Sequence, residues 1–449
     1  MNSNRRVLLF VTYSIGLFLL LSILALLTGW EWAPFRRVNL VGDLVTGPSG
    51  PAAPGDSTKQ YPDSIDHSPA ARHFAIYTHP RFITDFKADT QACSLPGLAR
   101  KLDELLKTGK GKIRIAYFGD SMIEGDLMTQ TLRKLLQQKF GGQGVGFVPV
   151  TSQVSKFRQT VTAAYSDTWQ DDNFKSGNNK RLYLSGHSFH SANAWVQLTD
   201  QTITDTAAIL EKSLLCGTYS PGTTINVNGQ SRRIEPQKAS NRIVLADDSK
   251  RTIALGVAND QLPVYGVSFE SDAGIFVDNF SFRGISGIEL ARIDSVFLSS
   301  IAAANPYDLI VFQYGVNLLF RPNDKNFDWY GRAMTPIIRK FQHCFPESEI
   351  VMVSTADRAF RYNGQYSSAI GIDSLIKVQA TVAYETQTCF YNQFASMGGT
   401  NSIVEWATAR PALANQDYVH PNFRGADILA TRFYQALLSQ YEKYQRSVK

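Results

Sequence analysis

The feature that most constrains this chain is a strand that runs into a helix through a short turn of small and polar residues. The apolar segment 113–118 precedes Gly119-Asp120-Ser121, and the amphipathic segment 129–140 follows. This order is the repeating unit of α/β folds, in which helices cover a parallel sheet. The turn places the Ser121 hydroxyl at the carboxyl end of a strand, beside free helix N–H groups that can hold an oxyanion.

The rest of the chain repeats the alternation of strand and helix. The segment DLIVFQ at 308–313 is almost continuously apolar, as a strand covered on both faces must be. We therefore predict an α/β fold with a parallel sheet flanked by helices. The predicted strands are 112–118, 308–313, 349–354 and 388–392, and the predicted helices are 95–106, 129–140, 329–341, 374–385 and 425–441.

Residues 147–282 differ in character from the segments on either side. Helical periodicity nearly disappears there, and short runs with strand character alternate with turn residues. Such spacing indicates a β-sandwich or jelly roll, and a structureless loop of this length is rare in a compact domain. We therefore predict an inserted all-β domain at 147–282 and an α/β body formed by 71–146 and 283–449. The runs with strand character are 181–184, 194–198, 224–227, 242–245 and 251–257.

The first 30 residues predict a membrane anchor. Residues 7–27 form an apolar run of the length that spans a bilayer as a helix. Arg5 and Arg6 precede the run and favour a cytoplasmic N-terminus. The alternative is a cleaved signal peptide, although its apolar core is normally shorter. Under both interpretations the rest of the chain is exported. The anchor predicts single-pass attachment to the inner (cytoplasmic) membrane, with the body in the periplasm or at the cell exterior.

A linker is predicted at 31–70, between the anchor and the body. Its middle contains the sequence GPSGPAAPGDS, residues 47–57, which is rich in glycine, proline and serine. This composition is typical of a flexible tether.

Composition excludes several classes of partner and cofactor. The net charge of +6 over 449 residues is modest and the basic residues are scattered, so nucleic acid is not a predicted partner. The four cysteines lie far apart without zinc-binding spacing, and their pairing cannot be deduced. His187 and His190 have no acidic residue beside them and are interpreted as structural. We predict neither a metal nor a cofactor.

A second candidate site lies near the end of the chain, where Asp417 and His420 are three residues apart. This spacing lets one turn present the imidazole while the carboxylate fixes its tautomer. An Asp-x-x-His sequence followed by Pro421 is also typical of a helix-capping turn. Together with Ser121, the pair supplies the nucleophile, base and orienting acid that acyl transfer requires.

Four blocks of this chain resemble, in order, those of the SGNH (GDSL-type) esterases. They are Gly119-Asp120-Ser121, Gly284-Ile285-Ser286-Gly287, Gly315-Val316-Asn317 and Asp417-x-x-His420. The resemblance implies a flavodoxin-like parallel sheet and a serine esterase.

The resemblance also implies a role for each matching residue. Ser121 would be the nucleophile, His420 the general base and then acid, and Asp417 the residue that orients it. The oxyanion hole would combine the backbone N–H groups of Ser121 and Gly287 with the amide of Asn317. Gly284 is the alternative to Gly287. We favour Gly287, because Gly287 begins the next helix. The chain departs from the family at Met122, where Leu is usual, and at Leu318, where many relatives have Asp.

The insert makes the chain similar to the peptidoglycan O-acetylesterase branch, in which a β domain like a carbohydrate-binding module follows the first block. Residues 274–284 resemble the final strand of such a module, and Trp169, Tyr183 and Trp195 are candidates for stacking on sugars. The resemblance implies removal of O-acetyl groups from a cell-wall glycan. The alternatives are an O-acetyltransferase acting on an envelope glycan and a glycan-binding protein without catalytic activity.

Overall fold

The computed structural model describes residues 13–14, 16–17, 76–87, 89–177 and 180–448. The chain divides between Ile65 and Asp66 into two units, and the second of them contains both large sheets. The four described residues of the first unit are helical. The predicted linker 31–70 and most of the predicted span 7–27 lie outside the described residues. In the part of the chain that is described, no helix has both the length and the apolar character of a membrane span.

The second unit alternates strands with helices at both ends and consists of strands in between. Its described helices are α1 (Pro96–Thr108), α2 (Thr129–Phe140), α3 (Ser295–Ala304), α4 (Asp328–Cys344), α5 (Ile372–Glu385), α6 (Gln393–Met397), α7 (Ser402–Thr408) and α8 (Phe423–Ser447). Its described strands are β1 (Ile83–Thr84), β2 (Lys112–Gly119), β3 (Gly146–Val148), β4 (Val161–Tyr165), β5 (Gln170–Asn173), β6 (His187–Asp200), β7 (Leu210–Cys216), β8 (Thr223–Val227), β9 (Gln230–Ile234), β10 (Asn241–Asp248), β11 (Thr252–Glu270), β12 (Gly274–Ser281), β13 (Leu309–Gln313), β14 (Glu349–Val353), β15 (Ala359–Tyr362), β16 (Gln365–Ser368) and β17 (Cys389–Tyr391).

A six-stranded sheet in the order β1-β17-β14-β13-β2-β12 forms the centre of the α/β part. All neighbouring strands are parallel except β1, which runs antiparallel to β17. The strand β2, which leads to Ser121, lies between β12 and β13, with Gly119 opposite Ser281 on one side and Gln313 on the other. The carboxyl ends of these three strands therefore meet at the level of Gly119, where ligands bind in open α/β sheets.

Helices cover both faces of the parallel sheet, because successive side chains of a strand point to opposite faces. On β2, Ile115 and Tyr117 pack into the core beneath α1, α2 and α8, whereas Ala116 and Phe118 pack into the core beneath α3, α4 and α5. These four side chains are almost fully buried. The predicted α/β fold with a parallel sheet is confirmed.

The second large sheet is antiparallel and contains nine strands, β3 to β11. The long strands β6 and β11 change partners along their length. The first half of β11 pairs with β6 and β8, and its second half pairs with β7 and β3. Irregular register accompanies each change, as expected where a strand bends between layers. The predicted sandwich is thus a single hydrogen-bonded sheet around one core, which includes Val196, Leu214, Leu255 and Val267.

The structure corrects two strand assignments in the region 147–282. Residues 274–281 do not close the β insert, because they form β12 and pair in parallel with β2 along its whole length. Residues 181–184 are not a strand. Leu182, Tyr183 and Leu184 are all buried, and the chain turns at Tyr183, whose carbonyl accepts the Gly186 N–H at 2.8 Å. These residues are apolar because each of them is buried, and not because they belong to a β-strand.

A buried ion cluster joins the two sheets. Arg114 of β2 contacts the Glu270 carboxylate of β11 at 2.7 Å, and Lys112 and Arg242 contact the same carboxylate at 3.2 and 3.0 Å. Burial would raise the pKa of Glu270, but these cations outweigh it and lower the pKa to about 2. The strand β2 is therefore fixed to the antiparallel sheet through charged groups shielded from solvent.

The cysteines are unpaired. Cys216, Cys344 and Cys389 are buried, Cys93 is half-buried, and none forms a disulfide. Burial raises the pKa of Cys216 to about 12, so this thiol is protonated at neutral pH.

Candidate active site

Ser121, His420 and Asp417 form a continuous chain of hydrogen bonds. Ser121 Oγ lies 2.7 Å from His420 Nε2, and His420 Nδ1 lies 2.7 Å from Asp417 Oδ2. An ionised carboxylate only accepts hydrogen bonds, so Nδ1 carries the ring proton. Nε2 is then free to accept the hydrogen of the serine hydroxyl. The structure thus brings together three side chains that lie 299 residues apart at the extremes.

The Asp417–His420 turn is held by the carboxylate itself. Asp417 Oδ1 accepts the backbone N–H groups of Val419 and His420 at 2.9 and 3.0 Å. Burial would raise the pKa of Asp417, but the hydrogen bonds from the His420 backbone and ring outweigh it and lower the pKa. The carboxylate is therefore charged at neutral pH and oriented toward Nδ1.

A small hairpin, β15–β16, supports this turn from outside. Tyr366 stacks on Tyr418 with ring centroids 4.0 Å apart, and Ala359 donates its N–H to the Tyr418 carbonyl at 3.0 Å. Tyr418 has a φ of 56°, which is costly for a side chain of this size. The stack and the hydrogen bond stabilise that conformation and so fix the turn that carries His420.

The amide of Asn317 links the second block of the chain to the first. Asn317 Nδ2 donates to the Ile285 carbonyl at 2.8 Å and to Asp120 Oδ2 at 3.1 Å. Asp120 Oδ1 accepts the Met122 N–H at 2.9 Å. Burial raises the pKa of Asp120 to about 7 despite these bonds. The loop reaches this position because Gly315, at φ +148°, passes Thr355 where a Cβ would lie 2.3 Å from the Thr355 Cβ.

Two backbone N–H groups of the first and second blocks are free. Among the described residues, no acceptor contacts the N–H of Ser121 or of Gly287. Gly287 precedes the short helix Ile288–Arg292 with a φ of 94°, and a Cβ there would lie 2.6 Å from the Tyr314 ring. This close approach requires glycine.

Known proteins were compared with the chain by sequence and by structure. No family model matches it, and no curated protein matches it. A solved structure of a peptidoglycan O-acetylesterase matches with a TM-score of 0.66 and 21% identity, over 80% of this chain and 99% of that chain. The chain has the fold of that enzyme. The resemblance predicted from the sequence is thereby confirmed for the fold.

Two further solved esterases match at TM-scores too low to support an argument. An acetyl xylan esterase has a TM-score of 0.28 and 14% identity over 37% of this chain and 81% of its own. A family two carbohydrate esterase from Cellvibrio japonicus has a TM-score of 0.27 and 9% identity over 63% of this chain and 99% of its own.

The aromatic side chains predicted to stack on sugars differ in exposure. Trp195 is 50% exposed on β6, and half-buried Trp169 donates its indole N–H to the Trp195 carbonyl at 3.1 Å. The Trp169 indole thus contacts the backbone of β6 at Trp195, and contact of either side chain with sugar stays a prediction. Tyr183 is fully buried and stacks on Tyr265, so it is a core residue.

His187 and His190 do have acidic partners, contrary to the sequence interpretation. His187 Nδ1 lies 2.8 Å from Asp171 and His190 Nε2 lies 3.0 Å from Asp172. The two carboxylates are on β5, which pairs with β6. Sequence proximity missed them because strand pairing, rather than chain order, brings these residues together.

Arg358 was not identified from the sequence. Its guanidinium donates to the Val316 carbonyl at 2.7 Å and lies over the Phe360 ring, 4.9 Å from its centroid. Arg358 thereby connects the Asn317 loop to the strand that contacts Tyr418. No local motif marks it, since its partner is a backbone carbonyl in a distant loop.

Proposed function

We propose that this protein is a serine O-acetylesterase with Ser121 as its nucleophile. The observation that carries the proposal is the unbroken hydrogen-bond chain from Asp417 through His420 to Ser121 Oγ. This arrangement activates a hydroxyl whose own pKa is far too high for it to react at neutral pH. It lies at the carboxyl edge of the parallel sheet, beside free N–H groups.

The geometry supports a two-step acyl transfer. Ser121 Oγ attacks the acetyl carbonyl carbon while its proton moves to His420 Nε2. The tetrahedral intermediate collapses as His420 returns the proton to the departing sugar hydroxyl, and an acetyl group stays on Ser121. Water then attacks this ester with His420 again as base, and acetate leaves. Asp417 keeps the imidazole in the required tautomer and stabilises its charged form.

Two backbone donors and one amide are available for the oxyanion. The N–H groups of Ser121 and Gly287 have no acceptor among the described residues, so they can donate as negative charge develops. Asn317 already uses both amide hydrogens, of which the one toward Asp120 is held at the longer distance, 3.1 Å. We propose that this hydrogen turns to the oxyanion in the transition state.

The proposed substrate is an acetylated cell-wall glycan, most specifically O-acetylated peptidoglycan. The fold shared with a peptidoglycan O-acetylesterase supports this choice. The match covers more of this chain than the α/β body and the N-terminal segment together, so it extends into the antiparallel sheet. A small-ester hydrolase does not need this second sheet, whereas a polymer-directed enzyme gains binding surface from it.

Acetate release tests the proposal. The purified full-length protein is assayed on an acetylated chromogenic ester and on O-acetylated peptidoglycan, with acetylated xylan for comparison. Ser121→Ala should abolish release from each, and Ser220→Ala, at an exposed serine between β7 and β8, should not alter it. Wild-type turnover by Ser121→Ala would refute the nucleophile. Acetyl transfer to an added glycan in place of acetate release would favour the transferase alternative.

We also propose that the body is exported and held at the inner membrane by residues 1–30. The support is the apolar run 7–27 behind Arg5 and Arg6. Reporters fused after residue 60 should be active only when they require an extracytoplasmic location. Activity of a cytoplasm-only reporter at this position would overturn the proposed topology.

A further inference from the structure

A cavity of about 170 Å³ lies between residues 124–126, which follow the Ser121 turn, and the antiparallel sheet. Glu124 and Ser281 line it on the side of the parallel sheet, and Lys175, Ser185 and His187 line it on the side of the antiparallel sheet. Its walls thus come from segments that are far apart in sequence and belong to both sheets.

The cavity is next to the nucleophile strand. Ser281, in its wall, pairs in register with Gly119, and the neighbouring Phe282 donates its N–H to the Gly119 carbonyl at 3.0 Å. Ser121 follows Gly119 by two residues. If a substrate reacts at Ser121, a neighbouring part of the same substrate can therefore occupy this cavity.

Ser185 gives the first sign of a ligand. Its side chain is only 4% exposed, and its hydroxyl has no hydrogen-bond partner among the described residues. Buried hydroxyl groups are normally hydrogen-bonded, because losing water without replacement is costly. Ser185 lines the cavity, so a ligand bound there can supply the missing partner.

Charge gives the second sign. The carboxylates that line the cavity, Glu124, Asp126 and Asp171, are each already held by an arginine or a histidine. Within the described ranges, no carboxylate lies at ion-pair distance from Lys175, whose Nζ is 5.6 Å from the Phe282 ring centroid. The cavity therefore has a positive charge available for an anionic group.

Lys175 also lies against the second block of the chain. Its Nζ is 3.4 Å from the position that a Cβ on Gly284 would occupy. Gly284 begins the turn that ends at Gly287, whose free N–H is a proposed oxyanion donor. The cation therefore lies against the segment that carries this proposed donor.

We propose that Lys175 and Ser185 form a subsite for the carboxylate of an acidic sugar next to the acetylated sugar. This inference rests on the proposed esterase function for the position of the acetyl group. Lys175 would supply the charge and Ser185 a hydrogen bond. The carboxylate can be that of a uronic acid ring or of a lactyl ether on an amino sugar, which present the same group to these donors.

Binding measured by calorimetry tests the subsite separately from catalysis. Full-length Ser121→Ala is titrated with an acetylated oligouronate, an acetylated muramoyl glycan with free lactyl carboxylates, and a neutral acetylated xylo-oligosaccharide. Adding Lys175→Gln should weaken binding of at least one acidic glycan about tenfold, the effect of losing one charge-assisted hydrogen bond. The neutral glycan should change less than about twofold. The acidic glycan that responds identifies the source of the carboxylate.

Lys156→Gln is the matched control, because Lys156 is an exposed lysine of the same region that does not line the cavity. It should leave all three affinities unchanged. Higher salt should weaken acidic-glycan binding in the parent protein and much less in the Lys175→Gln variant, since salt screens charge. Equal losses for neutral and acidic glycans, or no loss at all, would overturn the subsite.

Ser185→Ala provides a second test. The variant should weaken acidic-glycan binding several-fold and melt at the same or a higher temperature, because it removes a buried hydroxyl without a partner. A lower melting temperature with unchanged binding would instead assign Ser185 a structural role. The outcome is independent of acetate release, so failure of the subsite and failure of the esterase function are distinguishable.

Discussion

Asn317 Nδ2 lies 3.1 Å from Asp120 Oδ2, in the residue that precedes the proposed nucleophile. The same nitrogen donates to the Ile285 carbonyl at 2.8 Å. One amide therefore holds together three of the four blocks that make up the site. It follows that changes at Asn317 and Asp120 affect both the position of Ser121 and the charge around it.

Asn317→Ala should lower kcat on a soluble acetyl ester by about two to three orders of magnitude, the usual effect of removing one oxyanion donor. KM should change little. Asn317→Asp should be at least as damaging, because a carboxylate would face both Asp120 and the developing negative charge. Steady-state kinetics measure both effects. Asn193→Ala, at an exposed asparagine of β6, is the control. Wild-type turnover by Asn317→Asp would show that the amide is not a donor.

Asp120 predicts a pH dependence of stability. Its carboxyl binds a proton more tightly in the folded protein, with a pKa of about 7, than in the unfolded chain. The stability that protonated Asp120 contributes to the folded state is therefore complete below pH about 4 and is lost as pH rises through about 7. Wild type should lose a few kcal/mol relative to Asp120→Asn between pH 5 and pH 8, since one pKa unit equals about 1.4 kcal/mol.

Urea unfolding at the two pH values measures this difference. Asp272→Asn, at an exposed position between β11 and β12, should follow the wild type at both. Parallel behaviour of Asp120→Asn and wild type would mean that Asp120 is ionised throughout.

Gly287→Ala should destabilise the protein by about 1–3 kcal/mol and reduce turnover, because the new Cβ meets the Tyr314 ring and the residue has a positive φ. Gly229→Ala separates the two causes. Gly229 has a φ of 86° but nothing within 4 Å of its Cβ position, so only the backbone strain applies. Thermal melts and ester kinetics of the two variants are compared. Equal melting temperatures and equal activities would argue against a tight Gly287 turn.

Glu270→Gln should destabilise the protein by about 3–5 kcal/mol at neutral pH, because it leaves buried Arg114 without its charge partner, whereas Arg242 and Lys112 keep Glu211. In the wild type, the depressed pKa of Glu270 gives stability that is complete above pH about 4.5 and is lost as pH falls toward about 2. Acid unfolding should therefore be less steep in the variant. Glu235→Gln breaks an exposed pair with Arg233 and should cost no more than about 1 kcal/mol.

Sequence patterns predicted the longer helices and the central strands of the α/β part, because each of these elements carries its own signal. The helices α3, α6 and α7 were not predicted. Helix α2 begins and ends where the amphipathic pattern places it, and β13 differs from the predicted strand by one residue. Continuous apolar runs are enough to mark buried parallel strands. The residues of the candidate site were identified from short motifs, and the structure brings Ser121, His420 and Asp417 into contact. Their catalytic roles stay a prediction.

Pairing between distant segments could not be predicted in the same way. The strand β12 is a short run with strand character, like the runs before it, and only its parallel ladder with β2 assigns it to the other sheet. The hairpin β15–β16 is short, and its role depends on the stack between Tyr366 and Tyr418. Lys175 and Ser185 likewise line a cavity whose other residues are distant from them in sequence.

The parallel pairing of β12 with β2 determines how this protein can be recombined. A chimera that exchanges the predicted insert, residues 147–282, would remove the edge strand β12 beside β2 and expose the backbone groups of β2. A junction in the short turn at 271–273, between β11 and β12, would leave the parallel sheet whole. With this junction Glu270 belongs to the exchanged module, whereas Arg114 stays in the parallel sheet. The new module therefore needs an acidic residue at the position of Glu270, or Arg114 has to be replaced by a neutral residue.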